Sequence, residues 1–235
     1  MKILSIDSSG LVASVAIVSE DTLLAEYTVN HKKTHSQTLL SMLDEVVRMI
    51  ELDLNQIDAI AVAKGPGSFT GLRIGSATAK GLGMALHKPL IGVPTVDALA
   101  YNLFGSSFVI CPLMDARRNQ VYTGLYEFVR SNFRIIEQQQ AIEVTAIVNK
   151  VNQVGRPVIY LGDGVDSYRS QLEELTKVPY QFAPSHMNKQ RAATLGALAV
   201  QYFKQGQVET AKEHIPDYLR LSQAEREREE AMKTK

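Results

Sequence analysis

A single cysteine, a net charge of zero and the lack of any long uncharged apolar run set the first limits on this 235-residue sequence. One thiol, Cys111, can close no internal disulfide and build no cysteine zinc site, and within its apolar run beside Pro112 it reads as a small core residue. The opening MKILSIDSSG has one lysine but no apolar run leading to a small-residue cleavage site, so a reduced, cytoplasmic setting is expected. No uncharged apolar stretch reaches the roughly 18 residues of a membrane helix. The 25 Lys+Arg balance the 25 Asp+Glu. A groove that neutralises many phosphates normally leaves its domain strongly basic, so this chain is not expected to hold a polyanion alone. What it does have is 45% hydrophobic residues and a length that suits one large or two small domains. Such a chain buries roughly 70% of its unfolded surface, which excludes disorder along its whole length.

The pattern along the chain alternates strands and helices. Residues 2–7 are an apolar run, and after the turn Ser8-Ser9-Gly10 residues 12–18 alternate, as a hairpin does. Thr34-His35-Ser36-Gln37 has the form of a capping box, followed by Leu39, Leu43, Val46, Val47 and Ile50 at helical spacing. Residues 57–63 read as a strand covered on both faces, 70–86 as a helix stopped before Pro89, and 90–93 as a strand before a helix capped by Thr95. The first hundred residues thus run β-β-α-β-α-β-α. The second half repeats the opening. Shifted by 108 positions, Ile6-Asp7 falls on Met114-Asp115, and 15–18 on 123–126, so a duplicated lobe is expected, with domains at 1–106 and 107–235. Thr145 then caps a short helix, and a strand at 157–161 leads into Gly162-Asp163-Gly164. A helix at 165–175, a strand at 180–183, a long helix at 187–204 and a charged tail from Ser222 complete the pattern.

Several residue sets could carry chemistry. Asp7-Ser8-Ser9 at a strand end has the shape of the first phosphate loop of actin and sugar-kinase folds, where an aspartate holds a magnesium water and small residues let backbone N–H groups reach phosphate. The matching turn, Asp115-Ala116-Arg117-Arg118-Asn119, has arginines where such a loop needs glycine. The block Gly65-Pro66-Gly67-Ser68-Phe69-Thr70-Gly71 misses the dinucleotide spacing by one residue and lacks the Lys-Ser/Thr of a P-loop, although a helix starting there, near Lys64 and Arg73, could hold an anion. Beyond it Gly71, Gly75, Ala79 and Gly83 form a stripe almost without side chains, at a cost of about 1 kcal/mol of helix propensity per glycine. Packing on the chain's own sheet, a helix from another subunit or an anion would each compensate. His31 and His35 have the i, i+4 spacing of a zinc-protease helix, but Lys32 stands in place of the glutamate base and His31 precedes the cap. His35 reads instead as a cap or interface residue. Asp163, between two glycines, reads as a turn residue.

These motifs occur together in one family. The segment 3–9, His35-Ser36-Gln37-Thr38-Leu39-Leu40, the block from Gly65 to Gly75, Asp115-Ala116-Arg117 and Tyr218-Leu219-Arg220 resemble, in the same order and over almost the whole chain, the TsaB or YeaZ family of bacterial tRNA threonylcarbamoyladenosine biosynthesis proteins. Gln37 replaces a usually acidic residue and Ser41 a frequent proline. The resemblance implies a duplicated, two-lobed α/β fold of the actin-like ATPase (ribonuclease H-like) class and a subunit with no catalytic residues or metal ligands of its own. It implies pairing with the homologous transferase TsaD, a larger assembly with the ATPase TsaE, a homodimer when alone, tRNA contact through the complex and no membrane. No cofactor would be held tightly by this chain, with Asp7, Ser8 and Ser9 as vestigial phosphate-loop residues. ATP or ADP and metal would sit on the partners or at the interface. The expected interface comprises His35, Leu39, Leu43, Ser68, Phe69, Thr70, Gly71, Arg73, Gly75, Ala79 and Gly83. Two other classes, a stand-alone ATP-dependent enzyme on Asp7-Ser8-Ser9 and a metallopeptidase on His31 and His35, make different predictions for Mg-ATP and for zinc binding.

Overall fold

The apolar opening becomes β1 (Lys2–Asp7), buried along nearly its whole length because it has a partner strand on each side and helices over both faces. It pairs antiparallel with β2 (Ala13–Ser19) and parallel with β4 (Ala59–Gly65). The sheet is completed by β3 (Leu23–Val29) beside β2 and β5 (Leu90–Pro94) beside β4, in the order β3-β2-β1-β4-β5. Residues 1–30 and 35–219 are described by a computed structural model of the chain, without the side chain of His35. His31, the expected cap Thr34, Arg220 and the charged tail lie outside the described residues.

Strand alternation sorts the core into two layers. Leu4, Ile6, Val15, Ile17, Ile60 and Val62 point to α1 (His35–Met49) and α2 (Phe69–Leu86), meeting Leu39, Met42, Leu43, Val46 and Ala79. Ile3, Ala16, Val18, Ala61, Ile91 and Val93 point the other way, onto α3 (Thr95–Tyr101) and α6 (Ala192–Lys204). The second half rebuilds the same unit. Its strands β6 (Val109–Asp115), β7 (Gln120–Val129), β8 (Asn132–Glu143), β9 (Val158–Leu161) and β10 (Tyr180–Phe182) lie in the order β10-β9-β6-β7-β8, with α4 (Val144–Val154) after β8 and α5 (Asp163–Leu175) after β9. The pairings are antiparallel and parallel at the corresponding places, and both first strands end in aspartate, Asp7 and Asp115. The expected duplication is therefore present at the level of topology.

Three details differ from the sequence pattern. The edge strands β3 and β8 have no clean alternation, since exposed edges favour residues such as the Glu and Gln of β8 that discourage further pairing. Pro94, not Thr95, is the residue before α3, and Glu143 precedes α4, neither with a side-chain cap. Finally, the division at 106/107 separates the two sheets, but α6 crosses it: Leu195, Leu198 and Ala199 pack on the first sheet, and Ser5 Oγ donates to Ala192 O at 2.7 Å. Helix α3 joins the lobes, with Ala98 in the first core and Val96 and Leu99 in the second. There Tyr126 donates to the buried Asp97 at 2.7 Å, and burial, partly offset by that bond, pushes the Asp97 carboxyl up to about 6.

Candidate functional site

The first turn is folded against its own chain. Asp7 Oδ1 accepts from Ser9 N–H at 2.9 Å and from Ser9 Oγ at 2.6 Å, an Asx turn at the end of β1. Ser9 O accepts from Ser68 N–H at 2.6 Å, and Ser8 Oγ donates to Gly71 O at 2.9 Å. Asp7, Ser8 and Ser9 are all at most 2% exposed. A nucleotide phosphate needs free backbone N–H groups and open space; here the Ser9 N–H serves Asp7 and the start of α2 lies on the turn, so these residues do not fit a phosphate.

The glycine stripe has its explanation in the same contact. A Cβ built on Gly71 would fall on Ser8 O, one on Gly67 on Ser9 O, one on Gly83 on Leu90 Cδ1, and one on Gly75 would lie 2.5 Å from Ser8 Oγ. The small residues let α2 approach the turn and β5 far more closely than a side chain allows. These contacts place part of the expected interface inside the chain's own core. Gly71, Gly75, Ala79 and Gly83 face inward, as do Leu39, at 1% exposure, and Leu43. The apolar positions that repeat along α1 are those the sheet requires.

The outward faces belong to other residues. Ser68, Thr70 and Arg73 are exposed and Phe69 is half-buried; Ser68 caps α2 by accepting from Gly71 N–H at 3.3 Å. Arg73 lies over the Phe69 ring at 4.0 Å, and the Tyr218 ring packs 4.9 Å from Phe69, so the Tyr218 motif and the Gly65–Gly75 block meet. The strap carrying Tyr218 is pinned by Asp217 N–H on Lys64 O at 2.7 Å, by Lys80 Nζ on His214 O at 2.8 Å and by the pairing of Glu209 with Leu90. Helical spacing gave no sign of this strap. Along α2, Arg73, Ala77, Gly81 and Met84 form an exposed row, with Met84 69% exposed and, among the described residues, nothing within 4 Å of a Cβ built on Gly81. On the neighbouring α1, Leu40 is 57% and Met49 68% exposed.

The second turn repeats the first one's aspartate but not its cover. Asp115 Oδ1 accepts from Arg117 N–H at 2.7 Å, while Arg117 and Arg118 are exposed. Asp163, at the start of α5, accepts from Asp115 N–H at 3.1 Å. Burial raises its pKa, opposed by that N–H and by Lys189. Asp163 thus braces this turn. Among the described residues no group of three or more His, Cys, Asp or Glu side chains is placed to hold a metal ion, and no helix is long and apolar enough to cross a membrane.

Comparison with known proteins gives a consistent set of relatives. The family model described as TsaD, tRNA N6-adenosine threonylcarbamoyltransferase, matches residues 22–228. The Bacillus subtilis protein named tRNA threonylcarbamoyladenosine biosynthesis protein TsaB is 32% identical over 96% of this chain and 96% of its own. The Escherichia coli protein of the same name is 28% identical, covering 94% of this chain and 95% of its own. Among solved structures, YeaZ from Pseudomonas aeruginosa superposes with a TM-score of 0.78 at 25% identity, covering 93% of this chain and 100% of the other.

Proposed function

We propose a function from one premise: the chain belongs to the TsaB family of tRNA threonylcarbamoyladenosine biosynthesis proteins, itself part of the wider family that the TsaD model describes. On this reading the chain takes part in making threonylcarbamoyladenosine in tRNA as a non-catalytic activating subunit. It binds the homologous transferase TsaD, which carries the nucleotide, the metal and the transfer of the threonylcarbamoyl group to the adenosine beside the anticodon. TsaE joins in a larger assembly, and two copies of this chain associate when TsaD is absent.

The observation that carries the reading is the outer face of α1 and α2. Gly81 costs about 1 kcal/mol of helix propensity relative to alanine, and among the described residues no neighbour uses the space it leaves. Together with Ala77 it makes a shallow track bordered by the exposed Met84, and Leu40 offers a large apolar side chain on the adjacent helix. Such a face suits close approach of a second helical pair. The buried inner glycines keep α2 rigidly seated, and the closed first turn is consistent with a subunit that shapes a partner's site instead of holding nucleotide itself. Leu40→Asp and Met84→Asp, both at exposed positions, should leave the chain folded and weaken its association with TsaD at least about thirtyfold, the effect of a central interface residue. Isothermal titration reads the constant, and unchanged binding in both variants would remove this face from the interface.

A further inference from the structure

The turn between β6 and β7 holds Arg117, Arg118 and Asn119 at φ of 61°, 54° and 60°, three successive left-handed residues that all carry a Cβ. This backbone is disfavoured for any side-chain-bearing residue and has no special ease for arginine. The 108-residue shift sets Arg117 against Ser9 and Arg118 against Gly10, so the same aspartate-led turn is built once from small residues and once from two guanidinium groups. The first copy is buried beneath α2. The second is open, and among the described residues neither guanidinium has a carboxylate partner.

The carboxylates closest in the network hold the turn and do not neutralise the arginines. Asp115 accepts from Arg117 N–H and from Tyr168 OH at 3.3 Å on one oxygen, and from Ser167 Oγ at 3.2 Å on the other; Asp163 accepts from Asp115 N–H. Val144 N–H donates to Asn119 O and Gln120 N–H to Arg117 O, fixing the far side. Strained backbone persists where its surroundings over-determine it, and here the result is a stiff platform for two exposed cations that have no carboxylate partner among the described residues. A planar guanidinium presents paired donors that match phosphate oxygens.

We propose that the Arg117–Arg118 turn is a contact for RNA phosphates, used by the assembled complex to hold tRNA. This rests on the functional reading above, which supplies RNA as the polyanion. A chain with no net charge draws RNA only through such local clusters. Each phosphate neutralised adds about 0.7 to 0.9 to the slope of log affinity against log salt, so removing both arginines should lower the slope by about 1.4 to 1.8 and weaken binding on the order of tenfold to a hundredfold at 50 mM salt.

The test measures binding of an unmodified tRNA transcript, across a salt series, to the full chain assembled with TsaD. It compares Arg117→Gln/Arg118→Gln with Arg117→Gly/Arg118→Gly, the second of which relaxes the left-handed backbone and should melt no lower than the parent. Both variants should show the reduced slope and weakened binding, with assembly on TsaD unchanged. An unaltered slope in either folded variant overturns the proposal. So does loss of TsaD binding, which would make the turn a protein contact, and so does a loss confined to inorganic triphosphate with tRNA binding intact. Omitting the chain from the transfer reaction tests the functional reading separately, so a required chain with an unaltered salt slope refutes this inference alone.

Discussion

Replacing Gly71 by alanine, with Gly81→Ala as its partner experiment, tests whether close approach of α2 to the first turn is why these glycines are there. Both substitutions add one methyl to the same helix. At Gly81 the new Cβ meets nothing within 4 Å among the described residues, so the variant gains only helix propensity and should be stabilised by about 0.5–1 kcal/mol. At Gly71 the Cβ would lie inside 3.0 Å of Ser8 O, a backbone atom held in the Asx turn of Asp7. Either the helix start or the turn must retreat. Overpacking of this kind costs about 1–3 kcal/mol. The retreat also breaks or stretches the Ser8 Oγ–Gly71 O and Ser68 N–Ser9 O hydrogen bonds, each worth about 0.5–1.5 kcal/mol. Against this stands at most about 1 kcal/mol of propensity. The net expectation is a loss of about 1–5 kcal/mol, or a fall of roughly 2–20 °C in melting temperature at about 2–4 °C per kcal/mol for a chain of this size. Far-UV circular dichroism follows the transition, since the chain has no tryptophan to report it. A Gly71→Ala variant as stable as Gly81→Ala would refute the close-approach explanation.

Two buried groups give further expectations. Asp97 holds its proton more tightly in the folded chain, at about 6 against 3.8, so its ionisation penalises the fold fully above about pH 6, and the penalty fades as the pH falls from about 6 to about 4. Asp97→Asn, which keeps an acceptor for Tyr126 OH, should therefore gain about 3 kcal/mol relative to the parent in urea titrations at pH 8 compared with pH 4, and a difference independent of pH would contradict this. The Cys111 thiol is fully buried and pushed up to about 12 by desolvation. An aromatic disulfide reagent should label it only after unfolding in urea; prompt stoichiometric labelling of the folded chain at pH 8 would disprove its burial.

Much of the architecture is legible in the residues because local pattern and tertiary demand coincide. The apolar spacing of α1, the doubly covered runs of β1 and β4 and the 108-residue offset each point to what the fold contains. The edge strands β3 and β8 escape because exposure removes the alternation that marks a half-buried strand. The return of α6 to the first sheet is a contact between residues nearly 190 apart, as Ser5 and Ala192 show, and no local pattern encodes it. The proposed interface is legible only as a region. A glycine every fourth residue says that something comes close, and coordinates are needed to show that Ser8 and Leu90 do, leaving the neighbouring row from Arg73 to Met84 facing outward. Leu39 and Leu43 are buried for the same reason, since the strongest periodicity marks the core, while Leu40 between them is exposed.

The central claim, a subunit that is required but performs no chemistry itself, is met most directly by reconstituting the transfer. The chain, TsaD and TsaE are combined with the threonylcarbamoyl adenylate and an unmodified tRNA transcript, and modified adenosine is quantified by mass spectrometry as each protein is left out in turn. The account predicts product with all components, background without this chain, and none from this chain with donor and tRNA alone. Full activity without it, or turnover by it alone, would contradict the account.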